Sequence, residues 1–424
     1  MEPPADALRD CRISRHCPPV LPGRAGATAA GTFHGTAGRN CLPRRIGPQA
    51  DHFDAMAQRF RETRPAITVR GEHFPGGEYY EKIQALVAGG VLGDALWTVS
   101  IANFYPLASA GVLIDHRGLI SARKFDAQGL FPQAMQGVSL AGKVYGLPWI
   151  VHPGRVGLFY NKAMFDQAGL PYPDATWTYE TLLQHARLLS RAPDQFGVQT
   201  TRELFGMIVV IRSFGADYLS ADGRRQNLDS PQVIEALQYV ADLYGRHQVA
   251  PVTGNVNQMF NTNKLAMIQN GYWDIRGLTD NAKDVPWAVA PLPRGVAGLR
   301  GMFEFDPVSV TKFSKHPEAA FDYLAFLTSL EAGLDIAKRG SVPGARQAVW
   351  EHPELTKDPN HMTFAQIIKS TPPLLVPANF RFLEIQNEIN KALAPLWSGQ
   401  LVDVKALVKE LAPKVQYILD QPPP

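Results

Sequence analysis

Cysteine is scarce in this 424-residue chain, and its three copies, Cys11, Cys17 and Cys41, all fall in the first 45 residues. The rest can fold in an oxidising or a reducing compartment without thiol damage. Those cysteines have no tight paired spacing with His16 or His34, which excludes a zinc finger. Continuous apolar runs of about 18 residues are missing too, so no membrane-spanning helix is written into the sequence. The net charge of +3 is concentrated at one end: residues 1–45 hold seven of the 42 Lys and Arg but three of the 39 Asp and Glu. Residues 46–424 carry 35 basic against 36 acidic side chains, a balance that offers nucleic acid or an anionic membrane nothing to hold. Catalytic signatures are equally thin. The chain has no G-x-S-x-G elbow, H-E-x-x-H helix, phosphate-binding G-x-x-x-x-G-K-[ST] loop or spaced Cys/His set. "GVAGLRG" (Gly295 to Gly301) follows "APLPR" and reads as a surface loop, not a dinucleotide fingerprint. No metal or organic cofactor is implied. Paired carboxylates for acid–base work leave no such trace in a sequence.

What the chain does contain is turns and alternation. Its 36 Gly and 34 Pro exclude a coiled coil or a long helical array, and its length calls for more than one core. Residues 1–45, rich in Pro, Gly, Arg and Ala, lack helical and strand periodicity and are read as a disordered leader. They contain no continuous apolar stretch of the kind an export signal needs. From Asp51 the pattern changes. "DHFDAMAQRFRETRP" sets Phe53, Met56 and Phe60 at helical spacing and stops at Pro65; "AITVR" then reads as a strand, "YYEKIQALVAGG" as a helix and "DALWTVSI" as a strand. Further on, "TWTYETLLQHARLLS" predicts a helix capped by Thr176, with Glu180 in its first turn. "DSPQVIEALQYVADLYGRH" predicts one capped by Ser230 with Pro231 at its first position. "KLAMIQNG" is a strand entering a turn. Helix and strand alternating at this pace argue for α/β layers with parallel strands.

"YGLPWIVHPGRVGLFYNKAMFDQAGLPYPDATWTYETLL", from Tyr145, resembles the central signature of the family 1 extracellular solute-binding proteins, the sugar-type receptors of ABC importers related to maltose-binding protein. "FNTNKLAMIQNGYWDI", "VAPLPRG", "FSKHPEAAFDYLAFLTS" and "RGSVPGAR" resemble the next landmarks in order, and the likeness runs from about residue 50 to residue 424. The resemblance implies a type II periplasmic-binding-protein-like α/β fold: two lobes, each a mostly parallel sheet flanked by helices, joined by a multi-strand hinge. It places the first lobe at residues 46–151 and 289–314 and the second at 152–288 and 315–424. One departure stands out. Where the family has an export signal and an apolar first strand, this chain has "NCLPRRIGPQ", with Pro43 and Pro48 poorly suited to a central strand. The expectation is a damaged or mis-called start.

Sugar recognition needs aromatic plates for C–H faces and planar polar groups for hydroxyls. The resemblance puts Trp273, after the Asn270-Gly271 turn, in the place of a stacking plate, with Asp274 beside it. Trp149 and His152 follow Leu147-Pro148 on the hinge strand that passes the cleft floor. Glu203 and Phe205 in "QTTRELFGMIVV", Ser100, Asn103 and Phe104 in "SIANFY", and Phe303 and Glu304 in "GMFEFDP" complete the candidate set. Trp97, Trp177, Trp287 and Trp397 are assigned to packing, and Tyr160 and Asn161 to a structural role. The expected function is capture of a sugar or related polyol without chemical change, by a monomer outside the cytoplasm that delivers to an importer's membrane subunits. A cofactor-free enzyme on the same scaffold, and a degenerate non-exported homologue, are the competing readings.

Overall fold

A computed structural model describes residues 48–74, 79–370, 374–377 and 379–422. The readings of residues 1–45 and of "NCLPRRIGPQ" up to position 47 lie outside them. The first stretch carries α1 (Pro48–Thr63), α2 (Tyr79–Ala88), β1 (Ala95–Trp97), α3 (Ile101–Ser109), α4 (Arg117–Ala122) and α5 (Pro132–Gly137). A two-residue hairpin, β2 (Ser139–Leu140) with β3 (Lys143–Val144), leads into β4 (Leu147–His152). The chain then builds β5 (Gly157–Asn161), α6 (Lys162–Ala168), α7 (Tyr179–Leu189), β6 (Phe196–Gln199), α8 (Leu204–Ser213) and α9 (Pro231–Tyr244). After these come α10 (Val256–Asn261), β7 (Leu265–Asn270), α11 (Asp274–Asn281) and β8 (Trp287–Pro291). It returns through β9 (Met302–Val310) and ends in α12 (Pro317–Leu327), α13 (Leu330–Lys338), α14 (Gln347–Trp350), α15 (Pro359–Ser370), β10 (Leu374–Leu375), α16 (Phe382–Leu393) and α17 (Val404–Leu419).

These strands make two separate four-stranded sheets. In the first, β9 is central and takes β1, β4 and β10 as neighbours; in the second the order is β6-β7-β5-β8. All nine residues of β9 are buried, as befits a strand covered on both faces. The expected parallel character is not what the described strands show. β9 runs antiparallel to β1 and β4, and β5 antiparallel to β7 and β8, while β6–β7 and β9–β10 are parallel. β5 and β9 are the strands entered directly from the other sheet, so each runs against neighbours that are threaded locally.

The helix patterns hold with local adjustments. α1 ends two residues before Pro65, and Pro231 opens α9 after Ser230. The cap of α7 is Thr178, whose hydroxyl accepts the Thr181 amide at 3.2 Å; Thr176 instead sits in the preceding turn on Asp174. "AITVR" forms no strand beyond a single bridge residue at Thr68. Asn161 caps α6 through the Met164 amide.

Trp149 is fully buried among Phe53, His52 and Trp97, with ring centroids 4.6, 5.5 and 5.2 Å away. His52 Nδ1 in turn meets Asp335 at 2.9 Å, tying α1 and α13 to the first sheet. α12 packs on β9 and β4, and α13 on α1. The stretch 317–338, expected with the second lobe, therefore covers the first sheet, and only from α15, which packs on β8, does the chain rejoin the second.

Two crossings lie side by side between the sheets. Residues 153–156 link β4 to β5 and residues 292–301 link β8 to β9, joined by Leu292 N–H to Val156 O (2.8 Å) and Met302 N–H to Pro153 O (3.1 Å). Gly154 has φ +78°, and a Cβ there would press within 3.1 Å of Met302 O, so the close approach requires glycine. Arg212 of α8, 3% exposed, fastens this region. Its guanidinium donates to Asp217 and to the carbonyls of Gly301, Leu374 and Leu375. Replacing it by Met strands three carbonyls and a carboxylate. Arg212→Met is expected to lose about 3 kcal/mol of stability by urea denaturation; a loss within experimental error would show that water replaces the guanidinium.

Candidate ligand site between the two sheets

Elements of both sheets converge beside the crossings. β4 contributes His152 and the link after it Arg155; β9 contributes Glu304 and Asp306; the end of β7 and start of α11 contribute Asn270, Trp273 and Asp274; and Glu203 stands at the N-terminal end of α8. Trp273 follows a tight turn. A Cβ on Gly271 would lie 2.2 Å from the indole Cη2, so the ring folds back over the turn only because that position is glycine. The Arg155 guanidinium lies 4.9 Å from the Trp273 ring centre, and His152 meets the same ring edge-on at 4.9 Å. Arg155 also pairs with Glu203 and donates to Asn270 Oδ1 at 3.3 Å. A cavity of about 280 Å³ opens alongside, lined by polar groups including Arg155, Gln199, Thr201, Arg202 and Asn270.

The electrostatics follow from burial. His152, 7% exposed, is pushed down to about 3 by desolvation and the neighbouring Arg155, so it is neutral at pH 7. Its Nδ1 accepts the Gly154 amide hydrogen at 3.3 Å. Glu304 Oε2 is 3.4 Å from that nitrogen. Burial pushes Glu304 up to about 8, partly offset by Arg155 and reinforced by Asp306 and Glu203. Burial raises Asp306 to about 6, against hydrogen bonds from the Ser100 amide (2.9 Å) and Trp97 Nε1 (3.3 Å). It also raises Asp274 to about 6, against Asn270 and Arg155.

Of the residues expected here, the fold brings together Trp273, His152, Glu203, Glu304 and Asp274. Ser100 touches the group only through its backbone: at φ +66° it donates to Asp306, while its hydroxyl caps α3 at the Ala102 amide. Asn103 turns its amide onto Val99 O of its own helix start (3.1 Å). Four expectations are corrected. Trp149 belongs to the aromatic core of the first lobe. Phe303 is fully buried 5.9 Å from Phe131 on the other face of β9. Phe104 is fully buried within α3, and Phe205 stacks on Phe382 at 5.6 Å. Arg155, Asn270 and Asp306 were missed. Asp306 was readable, since it sits two residues after Glu304 and shares its face of the strand.

Glu304 and the aspartates titrate higher in the fold than in the open chain, so the folded state holds more protons across the interval between. For Glu304 the stabilising contribution is complete below about pH 4.5 and is lost as pH rises through about 8. Buried histidines such as His116 and His152, held neutral in the fold, act in the opposite sense near pH 6 to 7. The test is therefore the difference between proteins: the melting temperature of Glu304→Gln relative to the parent should rise from about pH 6 to about pH 8. A difference that stays constant across that interval would assign the titration elsewhere.

Residues 55–363 match the bacterial extracellular solute-binding protein family, and the chain belongs to it. An arabinooligosaccharide-binding protein of Bacillus subtilis is 26% identical over 318 residues, 68% of each chain. Among solved structures, an ABC substrate-binding protein of Listeria monocytogenes in complex with cycloalternan superposes with a TM-score of 0.80 at 24% identity, covering 91% of this chain and 98% of the other. The sugar-binding protein MalE of Xanthomonas citri gives 0.76 at 21%, covering 92% and 97%. The architecture is thus the two-lobed α/β fold of these proteins, with one sheet in each lobe. Family and relatives are binding proteins rather than enzymes, and the family is extracellular. Among the described residues no helix is long and apolar enough to cross a membrane.

Proposed function

We propose that this chain is the solute-capturing component of an ABC importer, holding a sugar or related polyol between its lobes and passing it on unchanged to the importer's membrane subunits. The observation that carries the reading is the half-buried Trp273 ring, set where the two sheets meet and surrounded by Arg155, Glu203, Asn270 and His152. An indole face suits the C–H face of a pyranose, and planar side chains around it suit hydroxyls. The groups come from both lobes, so a ligand that touches all of them favours the closed arrangement by its extra contacts there.

The same set is poorly equipped for turnover. His152 is neutral, but its Nδ1 is occupied by a backbone amide and held against a carboxyl rather than a nucleophile. In this reading the protein works as a monomer outside the cytoplasm and leaves its guest intact, and the residue roles assigned to the cleft are part of the proposal.

Titration calorimetry against arabino- and malto-oligosaccharides, with recovery of the sugar by chromatography, tests it. Saturable binding with full recovery supports capture, and consumption of the sugar would sink it. Trp273→Ala should weaken the tightest of these complexes by about 2 kcal/mol, roughly thirtyfold, with an unchanged circular-dichroism spectrum. Equal affinity would remove the indole from the site.

A further inference from the structure

A second cavity, of about 920 Å³ against the 280 Å³ beside Arg155, shares no residue with the Trp273 cleft. One wall is the start of α5 in the first lobe, with Pro132 and Gln133; the other is α15, which packs on the second sheet. Phe131, beneath the first wall, rests on Phe303, the β9 residue that faces away from Glu304. The cavity and the cleft therefore lie on opposite faces of that strand. α15 turns Met362, Ala365, Gln366 and Lys369 toward the space, the i, i+3, i+4, i+7 face of a helix whose Phe364 and Ile367 are buried. Gln347, Trp350 and Glu351 of α14 border it as well.

The polar groups around this space are unengaged. Among the described residues, the side-chain amides of Gln133, Gln347 and Gln366 make no hydrogen bond to the protein. Trp350, stacked on His361 at 5.5 Å, keeps its indole N–H buried with no acceptor. The charges in the wall answer each other, since Lys369 Nζ is 3.4 Å from Glu351 Oε1. An ionic guest thus finds no unpaired counter-charge here. A hydroxyl-rich one finds partners: a carboxamide offers two donors and an acceptor in one plane, and a hydroxyl both gives and takes. An apolar bed with a few convergent polar groups is the composition of a small-molecule site.

We propose that this cavity is a second carbohydrate site, which takes a neutral oligosaccharide with its C–H faces against Pro132 and Met362 and its hydroxyls on the three glutamines. The proposal borrows the class of guest from the capture reading and adds a site that reading does not use. Gln133 is half-buried and Gln347 and Gln366 are exposed, so each amide exchanges water for sugar at small net gain. The site is accordingly weaker than the cleft and tolerant of the sugar's identity.

Equilibrium dialysis of the full chain against radiolabelled maltotriose and arabinotriose, carried into the millimolar range, tests this. Binding is expected to pass one molecule per chain and approach two. The double variant Gln133→Ala/Gln366→Ala should weaken the second phase at least about tenfold and leave the first unchanged, with the melting temperature of the parent. Trp273→Ala should weaken the first phase and spare the second. Saturation at one molecule per chain, lost in Trp273→Ala, would overturn the second site and leave capture standing. A second phase that the double variant does not move would overturn it too, as would self-association of the parent that the double variant abolishes, which gives this face to a second copy of the chain. A single phase lost only in the double variant would support this site and remove the Trp273 cleft from sugar capture. No binding of either sugar would overturn both.

Discussion

The pair of chain crossings between the sheets is the constraint on which the rest depends. Residues 153–156 and 292–301 run beside each other, pinned by two backbone hydrogen bonds and by a glycine that lets one backbone lie against the other's carbonyl. His152 and Arg155 are three residues apart, yet one closes a strand of the first lobe and the other pairs with Glu203 and Asn270 of the second. Both touch Trp273. The buried Arg212 of α8 donates to carbonyls at 301, 374 and 375 and so ties that helix to the end of the 292–301 crossing and to β10 of the first sheet.

Burial then sets the chemistry of the site. Desolvation holds His152 neutral and lifts Glu304, Asp306 and Asp274 above their usual range, while Arg155 opposes the rise at Glu304 and Asp274.

Much of the fold was legible because amphipathic helices and their caps are local. Pro231 after Ser230 and the run from Phe53 to Phe60 needed no tertiary information. Thr178 displaced Thr176 as a cap because Asp174 offers Thr176 a turn of its own. The site was legible only in part, and two of the errors, Trp149 and Phe303, share one cause. Phe303 and Glu304 are adjacent on a strand and so point to opposite faces; only one of them can reach the cleft. Trp149 and His152 are an odd number of residues apart on another strand, and the same pleat separates core from cleft. Counting by twos selects Glu304 and Asp306 together. Arg155 escaped notice because a crossing has no period to read, and its importance comes from partners at 203 and 270.

The first lobe's central strand, β9, spans Met302–Val310, whereas the strands it joins lie at Ala95–Trp97 and Leu147–His152. The second lobe's sheet is drawn entirely from residues 157–291. On a ribosome the second half can complete its sheet while the first still waits for its middle, with apolar strands that have no neighbour until the remaining chain emerges. Such long-range pairing is slow. That delay keeps the nascent polypeptide incompletely folded through most of its synthesis, the state in which a translocation channel takes up a passenger.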